Sequence, residues 1–208
     1  MARYVDLHPD NPQQRLVEQV VAALRDDDAL IAYPTDSGYA LGCRIGNREG
    51  RDRILRIRHL DERHHFTLVC RDFAQLGQFV IVPNAAFRAI KAATPGPYTF
   101  ILPASPEVPR RLLHPKKRTV GVRIPDHRVV RALLEALGEP LLSSTLILPG
   151  EETPRTSGWE IKEELDHQVE VVVDAGETLP EPTTVVDWSG DAPEVVRRGA
   201  GDPSRFEG

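Results

Sequence analysis

The segment 29–43 most constrains the fold, because it predicts two strands joined by a tight turn. Residues 30–33 form a short apolar run that is typical of a buried strand. Pro34 ends this run, since proline lacks a backbone donor and has a fixed φ angle. Residues 35–38 read Thr-Asp-Ser-Gly, and such a turn can direct hydroxyls, a carboxylate and backbone N–H groups towards a small ligand. An ordinary hairpin turn explains the same four residues, so the local pattern alone does not decide for a binding site.

Helical and strand patterns alternate along the 208 residues, a length typical of one domain. Asn11, which is followed by proline, predicts the N-cap of a first helix, and the last strand is expected at 194–197. This alternation predicts an α/β fold in which helices flank a twisted, mixed β-sheet. We expect a single compact domain over 1–208, with its core at about 10–200 and a frayed end from Gly199.

Composition excludes several classes of protein. Lys and Arg number 26 against 31 Asp and Glu, and the net charge of −5 does not suit a general polyanion binder. The sequence shows neither an apolar run of membrane length nor a signal-peptide pattern, so we expect a soluble, cytoplasmic protein without membrane contact. Cys43 and Cys70 lack CxxC spacing and are expected to be buried hydrophobes. His64 and His65 have no third ligand at metal spacing, which predicts a mobile loop without a metal.

Basic residues are nevertheless concentrated in two segments. The second helix is expected over 48–60, with Asn47 as its N-cap. It carries four arginines between residues 51 and 58. Arginines at this spacing repel one another, so they form either a solvated face or an anion site, because guanidinium groups bind phosphate bidentately. A second basic segment lies at 110–118. Arg123 interrupts an apolar strand, which predicts that it reaches a carboxylate or a bound anion.

Several common catalytic motifs are absent from the sequence. It contains no Walker A or GxGxxG run, no GxSxG turn and no HExxH pair. What remains is a set of arginines together with turns rich in hydroxyls. These groups suit the binding and orientation of an anionic substrate, with catalysis by positioning and charge neutralisation instead of a covalent nucleophile.

The turn at 33–42 reads Tyr-Pro-Thr-Asp-Ser-Gly-Tyr-Ala-Leu-Gly. It resembles the Pro-Thr-(Glu/Asp)…Gly-(Leu/Val)-Gly signature of the YrdC-like family, the L-threonylcarbamoyladenylate synthases. The resemblance covers nearly the whole chain, and the motif sequences are most similar to those of the YciO branch of that family. The further segments that match family motifs are Arg-Ile-Arg at 56–58, Thr-Pro-Gly-Pro-Tyr-Thr at 94–99, the strand at 119–125, Pro-Leu-Leu-Ser-Ser-Thr at 140–145 and Pro-Thr-Thr-Val-Val-Asp at 182–187.

The resemblance implies a YrdC-like fold and an activity. Family synthases join L-threonine, bicarbonate and ATP into L-threonylcarbamoyladenylate and pyrophosphate, and this product feeds the t6A modification of tRNA. ATP would carry Mg²⁺, and no protein side chain is expected to ligate a metal. The implied residues are Thr35, Cys70, Arg123 and Thr183 for L-threonine; Arg56, Arg58, Thr119, Thr156 and Arg197 for the nucleotide; and Arg56, Arg58 and Thr145 for catalysis.

The chain departs from the family motifs at two places. Arg56 stands where the Lys-x-Arg motif has lysine, which keeps the charge but not the compact ammonium. Residues 145–147 read Thr-Leu-Ile where relatives have Ser-x-Asn. Thr145 keeps a hydroxyl, whereas the side chain of Ile147 offers no hydrogen-bonding group. A synthase with weakened activity is therefore expected.

The basic residues also suit a different function. The YrdC-like fold is also described as binding double-stranded RNA, and the basic residues within 51–58 and 110–118 could form one positive face. Double-stranded RNA is recognised mainly through phosphates and 2′-hydroxyls, so such a face would suffice. The alternative is therefore a module that binds double-stranded RNA or tRNA without synthase activity.

Overall fold

The computed structural model describes residues 1–62 and 64–207, in which ten strands and six α-helices form an α/β fold. This confirms the predicted class, a mixed sheet flanked by helices. Within the described residues no helix has the length and apolar character needed to cross a membrane. The strands are β1 (Arg3–Asp6), β2 (Ile31–Thr35), β3 (Gly38–Arg44), β4 (Thr67–Val69), β5 (Tyr98–Pro103), β6 (Thr119–Arg123), β7 (Leu141–Thr145), β8 (Val171–Asp174), β9 (Thr184–Asp187) and β10 (Glu194–Arg197). The helices are α1 (Gln14–Leu24), α2 (Arg48–Arg58), α3 (Phe73–Phe79), α4 (Asn84–Ala93), α5 (Arg128–Leu137) and α6 (Gly158–Leu165), with short 3-10 helices at Arg110–Leu112 and Pro203–Phe206.

The ten strands form one sheet in the order β1-β8-β2-β3-β7-β4-β6-β5-β9-β10. β2 and β3 are the antiparallel hairpin predicted around 29–43, with Thr35 opposite Gly38 at the turn. Gly38 has a φ angle of 90°, and an added Cβ would lie 2.4 Å from Pro154 Cβ, so the turn requires glycine there. The hairpin lies between β8 and β7, which places its turn beside strands that come much later in the chain.

The two faces of the sheet are covered differently. α1 and α5 pack on each other, α1 over β8 and α5 over β2, and Val20 and Leu133 are buried in the same core cluster as Ile31. Further along the sheet, alternate residues such as Phe100 on β5 and Val122 on β6 point into a second core on the opposite face. Because side chains alternate along a strand, the residues between them point away from that core. These intervening positions carry hydroxyls and a glycine, and they line the site described below.

α2 is the helix that brings an arginine to this site. It begins as predicted after Asn47, whose side-chain oxygen accepts a hydrogen bond from Gly50 N at 2.7 Å. The Asn47 amide nitrogen also donates to the carbonyl oxygen of Ala29 at 2.8 Å, which fastens the helix to the strand region. The helix ends at Arg58, two residues before the predicted boundary, because His59 adopts a left-handed φ angle of 50°.

Replacing Asn47 with alanine is expected to lower the free energy of unfolding by about 1–2 kcal/mol, because the change removes a helix cap and a buried hydrogen bond together. Urea denaturation of the native chain and the variant measures this difference. Asn47→Ser is the matched control, since its hydroxyl oxygen can cap the helix while the bond to Ala29 is lost, and no charge is added. An Asn47→Ala variant that unfolds at the same urea concentration as the native chain would contradict the assignment.

The predicted cap of the first helix is wrong. α1 begins at Gln14, because Gln13 is still extended (φ −69°, ψ 119°). The carbonyl oxygen of Gln13 accepts the first helical hydrogen bond, from Leu16 N at 2.9 Å. Asn11 N instead donates to His8 Nδ1 at 3.1 Å, so this region forms a turn before the helix.

The chain end does not fray from Gly199 as predicted. An added Cβ at Gly199 would lie 2.1 Å from the carbonyl oxygen of Pro182, so the chain packs closely at this point. Beyond it, Phe206 is 4% exposed, and its ring centroid lies 5.5 Å from that of Phe100. Leu7 near the other end is also fully buried. The core therefore extends past both ends of the expected range 10–200.

Candidate functional site

A cavity of about 240 Å³ opens on the polar part of the sheet, over β4, β5, β6 and β7. Its wall combines hydroxyl groups, two arginines, two histidines and a few apolar side chains. Gly121 on β6 leaves room for the cavity because it lacks a side chain. Its lining residues include Arg58, His64, Ser144, Thr145, Ile147 and Arg197.

Arg58 reaches the cavity from the last residue of α2. Its Nε donates to the carbonyl oxygen of Ile147 at 3.1 Å, and its Nη1 donates to Ser144 Oγ. Burial and the nearby charge of Arg197 lower the pKa of Arg58 to about 10. The group stays charged at neutral pH, and its hydrogen bonds to neutral partners hold it in place without cancelling the charge.

Arg197 approaches the same cavity from β10, on the other end of the sheet. Its Nε donates to the carbonyl oxygen of Thr183 at 3.0 Å and its Nη2 donates to Thr183 Oγ1 at 2.9 Å. Thr183 is 1% exposed and shares a further hydrogen bond of 2.9 Å with Thr99. Partial burial, and to a smaller extent the charge of Arg123, lower the pKa of Arg197.

The cavity thus presents two guanidinium groups and lacks a compensating acid. Among the residues that line it in the described ranges 1–62 and 64–207, none is aspartate or glutamate. The charge of Arg197 contributes to the lowered pKa of Arg58, because like charges repel, and an anion placed between the two guanidinium groups would relieve this repulsion. The arrangement therefore suits a phosphate-bearing ligand.

His64 is a cavity residue that the sequence did not assign to the anion site. Its Nε2 lies 2.8 Å from Ser144 Oγ, on the same hydroxyl that Arg58 contacts. Burial first, and then the charge of Arg58, lower the pKa of His64 to about 4. The segment predicted as a mobile loop is thus tied to the cavity at His64. Within the described part of the chain, no three His, Cys, Asp or Glu side chains group together as a metal site requires.

A second, much smaller pocket of about 20 Å³ adjoins the cavity. The two share Ser144 and Thr145 in their walls, together with threonines of β4 and β5. Thr35 lines the small pocket, where its hydroxyl donates to the carbonyl oxygen of Gly38 at 2.6 Å. A pocket of this size holds a single water-sized group, so an amino acid would require it to widen.

Arg123 lies beside the small pocket, and its partner in the structure is an internal carboxylate. Its Nη2 forms an ion pair with Asp36, and its Nη1 donates to Ser37 Oγ at 2.9 Å. Both charged side chains are nearly buried, at 7% and 13% exposure. Asp36 is held further by Asp126 N at 2.9 Å, whereas Arg123 Nε is buried without a partner among the described residues. The sequence predicted either a carboxylate or a bound anion as the partner of Arg123. In the structure the partner is the carboxylate of Asp36.

Four residues named from the resemblance line neither the cavity nor the small pocket. Arg56 is 67% exposed and forms an ion pair with Glu49 on the outer face of α2. Cys70 is fully buried in the core, where burial raises the pKa of its thiol. Thr119 is buried beside a separate small recess, and its hydroxyl has no partner among the described residues. Thr156 lies in the loop before α6, where its carbonyl oxygen accepts from Thr178 N at 3.1 Å.

Two further arginines of α2 are compensated individually. Arg51 pairs with Asp52, and Arg53 pairs with Glu170 and also donates to backbone carbonyls. In the other basic segment, Lys117 pairs with Asp187. The run of arginines in the sequence is therefore not one continuous positive face, and it directs one member, Arg58, into the cavity.

Comparisons with known proteins identify relatives that match this chain along most of its length. The Sua5/YciO/YrdC family model, described as telomere recombination, matches residues 23–199. YciO of Escherichia coli K12 is 50% identical over 206 residues, which cover 99% of this chain and 100% of that protein. The crystal structure of E. coli YciO gives a TM-score of 0.95 over 99% of this chain.

More distant relatives carry a functional name. A threonylcarbamoyl-AMP synthase of Vibrio vulnificus YJ016 is 31% identical over 160 residues, 76% of this chain and 84% of that protein. The crystal structure of P. abyssi Sua5 complexed with L-threonine gives a TM-score of 0.85 at 25% identity, over 94% of this chain and 57% of that one. Because the family model spans most of the sequence and these relatives match it along most of its length, the chain belongs to the Sua5/YciO/YrdC family.

Proposed function

We propose that this protein is a nucleotide-dependent synthase of the threonylcarbamoyl-AMP type, with a lower rate than synthases that keep the Ser-x-Asn motif. It would join L-threonine, bicarbonate and ATP into L-threonylcarbamoyladenylate and pyrophosphate. The observation that carries the proposal is the acid-free cavity between Arg58 and Arg197. Two guanidinium groups held by neutral partners leave their charge available for a polyphosphate.

The family supports the chemistry of this proposal. Threonylcarbamoyl-AMP synthases of two bacteria share 28% to 31% identity with the chain, and a Sua5 structure of similar fold contains L-threonine. The cavity and the small pocket adjoin through Ser144 and Thr145, which suits a product that joins an amino-acid part to a phosphate. Mg²⁺ bound to ATP would supply further charge neutralisation.

In this proposal the arginines act by position. Arg58 and Arg197 hold the phosphates and stabilise the negative charge that develops on the leaving pyrophosphate. Arg123 receives the threonine carboxylate once the small pocket widens, and Asp36 then exchanges its place on the guanidinium with the substrate. The hydroxyl of Thr145 lies between the two ligands and orients the reacting groups.

Pyrophosphate release tests this function directly. The native chain is incubated with ATP, Mg²⁺ and bicarbonate, with and without L-threonine, and the adenylate product is followed by mass spectrometry. Slow pyrophosphate release that depends on L-threonine is expected, and D-threonine serves as the control for the amino-acid site. Release at the same rate without any amino acid, or none above the blank, would overturn the proposal.

The double variant Thr145→Ser, Ile147→Asn is expected to release pyrophosphate about tenfold faster, since one added polar contact to a charged ligand contributes about 1.5 kcal/mol. Ile147 lines the cavity next to Arg58, so an amide there would face the nucleotide. Steady-state assays of the native and variant chains give the ratio. The single variant Thr145→Ser is the control that isolates the amide. A double variant that melts at a lower temperature and gains no activity would mean that Ile147 belongs to an apolar wall for another ligand.

RNA binding is the second candidate, and it stays a prediction. The local ion pairs of Arg53, Arg56 and Lys117 reduce the positive surface on which it rests. Binding through phosphates should weaken steeply with salt. RNA affinity that falls steeply between about 50 and 200 mM salt, in a chain that releases no pyrophosphate, would favour the binding module over the synthase.

A further inference from the structure

Ser144 and His64 form a pair that the proposed synthase chemistry does not use. The serine hydroxyl lies 2.8 Å from His64 Nε2, and Arg58 Nη1 donates to the same oxygen. Because an arginine N–H is only a donor, the hydroxyl oxygen accepts from Arg58 and its own proton is free to point at the imidazole. With the ring proton on Nδ1, His64 accepts that proton at Nε2.

This geometry is that of an activated nucleophile. A serine hydroxyl gains reactivity when a base within hydrogen-bond reach takes its proton, and a nearby cation stabilises the oxygen that is left. Other hydroxyls of the site differ in this respect. The hydroxyl of Ser143, one residue earlier, contacts the Tyr33 hydroxyl at 2.6 Å and the Leu41 carbonyl oxygen at 3.1 Å, neither of which is a base at neutral pH.

The charge state of His64 agrees with this role. Its depressed pKa, caused by burial and by Arg58, leaves the imidazole neutral and able to accept a proton at neutral pH. The same effects make it a weak base in the empty cavity. A phosphate bound near Arg58 would offset that positive charge and raise the pKa of His64, so the ligand itself would strengthen the base.

The position of Ser144 indicates which bond it could attack. Ser144 lines both the anion cavity and the small pocket beside Thr35 and Arg123. An acyl adenylate, or any acyl phosphate with a polar acyl part, has its carbonyl carbon between the phosphate and the rest of the acyl group. A ligand with its phosphate between the two cavity arginines and its acyl part towards the small pocket would therefore place that carbon near Ser144 Oγ.

We propose that Ser144 is a nucleophile for acyl phosphates, with His64 as its general base and Arg58 as the group that stabilises its oxygen. Ser144 Oγ forms a bond to the acyl carbon, its proton passes to His64 Nε2, and the bond from the acyl carbon to the phosphate oxygen breaks. The phosphate leaves as an anion between Arg58 and Arg197. His64 passes its proton to the departing phosphate and then takes a proton from the water that attacks the acyl-serine. It returns that proton to Ser144 Oγ as the bond from the acyl carbon to Oγ breaks, and the acid product releases its remaining proton to solvent as the carboxylate or carbamate. The result is hydrolysis of the acyl phosphate, an activity that rests on the anion cavity of the proposed function and goes beyond synthesis.

Labelling with diisopropyl fluorophosphate tests the nucleophile without ATP or L-threonine. In this reaction Ser144 Oγ forms a bond to phosphorus, fluoride leaves and the proton passes to His64. Intact-mass spectrometry with peptide mapping is expected to find one diisopropylphosphoryl group on Ser144. His64→Gln should slow labelling at least tenfold, and Ser144→Ala should abolish it at this position. His167→Gln is the matched control, because His167 is an exposed histidine outside the cavity, and it should label at the native rate.

Hydrolysis of acetyl phosphate provides the second measurement, with the same variants. Both His64→Gln and Ser144→Ala should lower the rate at least tenfold, and thermal melting checks that each variant is folded. If Ser144→Ala fails to fold, His64→Gln still decides the question, since it keeps a polar side chain of similar size. Labelling at another residue, or labelling that is equally fast in His64→Gln, would overturn the proposal. Neither result depends on pyrophosphate release, so a failure here and a failure of the synthase function can be told apart.

Discussion

Replacing Arg58 with alanine is expected to lower the affinity for ATP by about ten- to a hundredfold, because a charge-assisted contact to phosphate contributes about 1.5–3 kcal/mol. The guanidinium is partly buried beside the cavity, and among residues 1–62 and 64–207 its hydrogen bonds go to neutral groups, Ser144 Oγ and the Ile147 carbonyl oxygen. Its removal breaks no ion pair within those residues, so the fold should persist. Isothermal titration calorimetry with ATP and Mg²⁺ measures the affinity, and circular dichroism measures the fold.

Arg56 provides the matched comparison for that experiment. The resemblance assigns both arginines to the nucleotide, whereas the structure turns Arg56 outwards to Glu49. Arg56→Ala should therefore change ATP affinity less than about threefold, as expected for loss of an exposed ion pair. If the two variants lose affinity equally, α2 meets the nucleotide with a different face from the one in the structure. A folded Arg58→Ala chain with native affinity would remove Arg58 from the phosphate site.

Replacing Arg123 with alanine is expected to have a double effect. The variant should lose about 3–5 kcal/mol of unfolding free energy, because Asp36 is left as an unpaired and nearly buried charge. L-threonine should also no longer stabilise the variant, since the Arg123 guanidinium is the group that binds the amino-acid carboxylate in the proposed site. Urea denaturation measures the first effect, and the rise in melting temperature on adding L-threonine measures the second.

A double variant separates these two effects. Arg123→Met together with Asp36→Asn removes both charges, and much of the stability should return, because replacing both members of a buried pair costs little compared with breaking it. The response to L-threonine should stay absent. If Arg123→Ala melts at a much lower temperature and L-threonine still stabilises it, the ion pair is purely structural and the amino acid binds elsewhere.

Local patterns in the sequence predicted much of the fold because they depend on neighbours in the chain. The apolar run and the Thr-Asp-Ser-Gly turn predicted the hairpin of β2 and β3, and Asn47 predicted the start of α2. The prediction was wrong where a second local contact competed with the expected helix cap. Asn11 resembles a cap, but its backbone bonds to His8 instead, and the helix starts three residues later.

The chain end shows a second limit of local reasoning. Two glycines near the end of a chain are typical of a flexible tail. Gly199 is instead required by the close approach of the Pro182 carbonyl, and Phe206 fills a space in the core beside Phe100. The local sequence does not reveal either contact, because the partners, a residue just before β9 and a residue of β5, are distant in the chain.

The sequence by itself determined which chemical groups are available to this protein. These are arginines on a helix, turns rich in hydroxyls, and a strand arginine, Arg123, that needs an anionic partner. Tertiary structure decided which groups meet. Residues two apart on a helix point about 200° apart, so only one of Arg56 and Arg58 can face the sheet, and packing selects Arg58. His64 and Ser144 are 80 residues apart and meet because β7 pairs with both β3 and β4. Strand order and register arise from long-range pairing, and no pattern confined to one segment encodes such contacts.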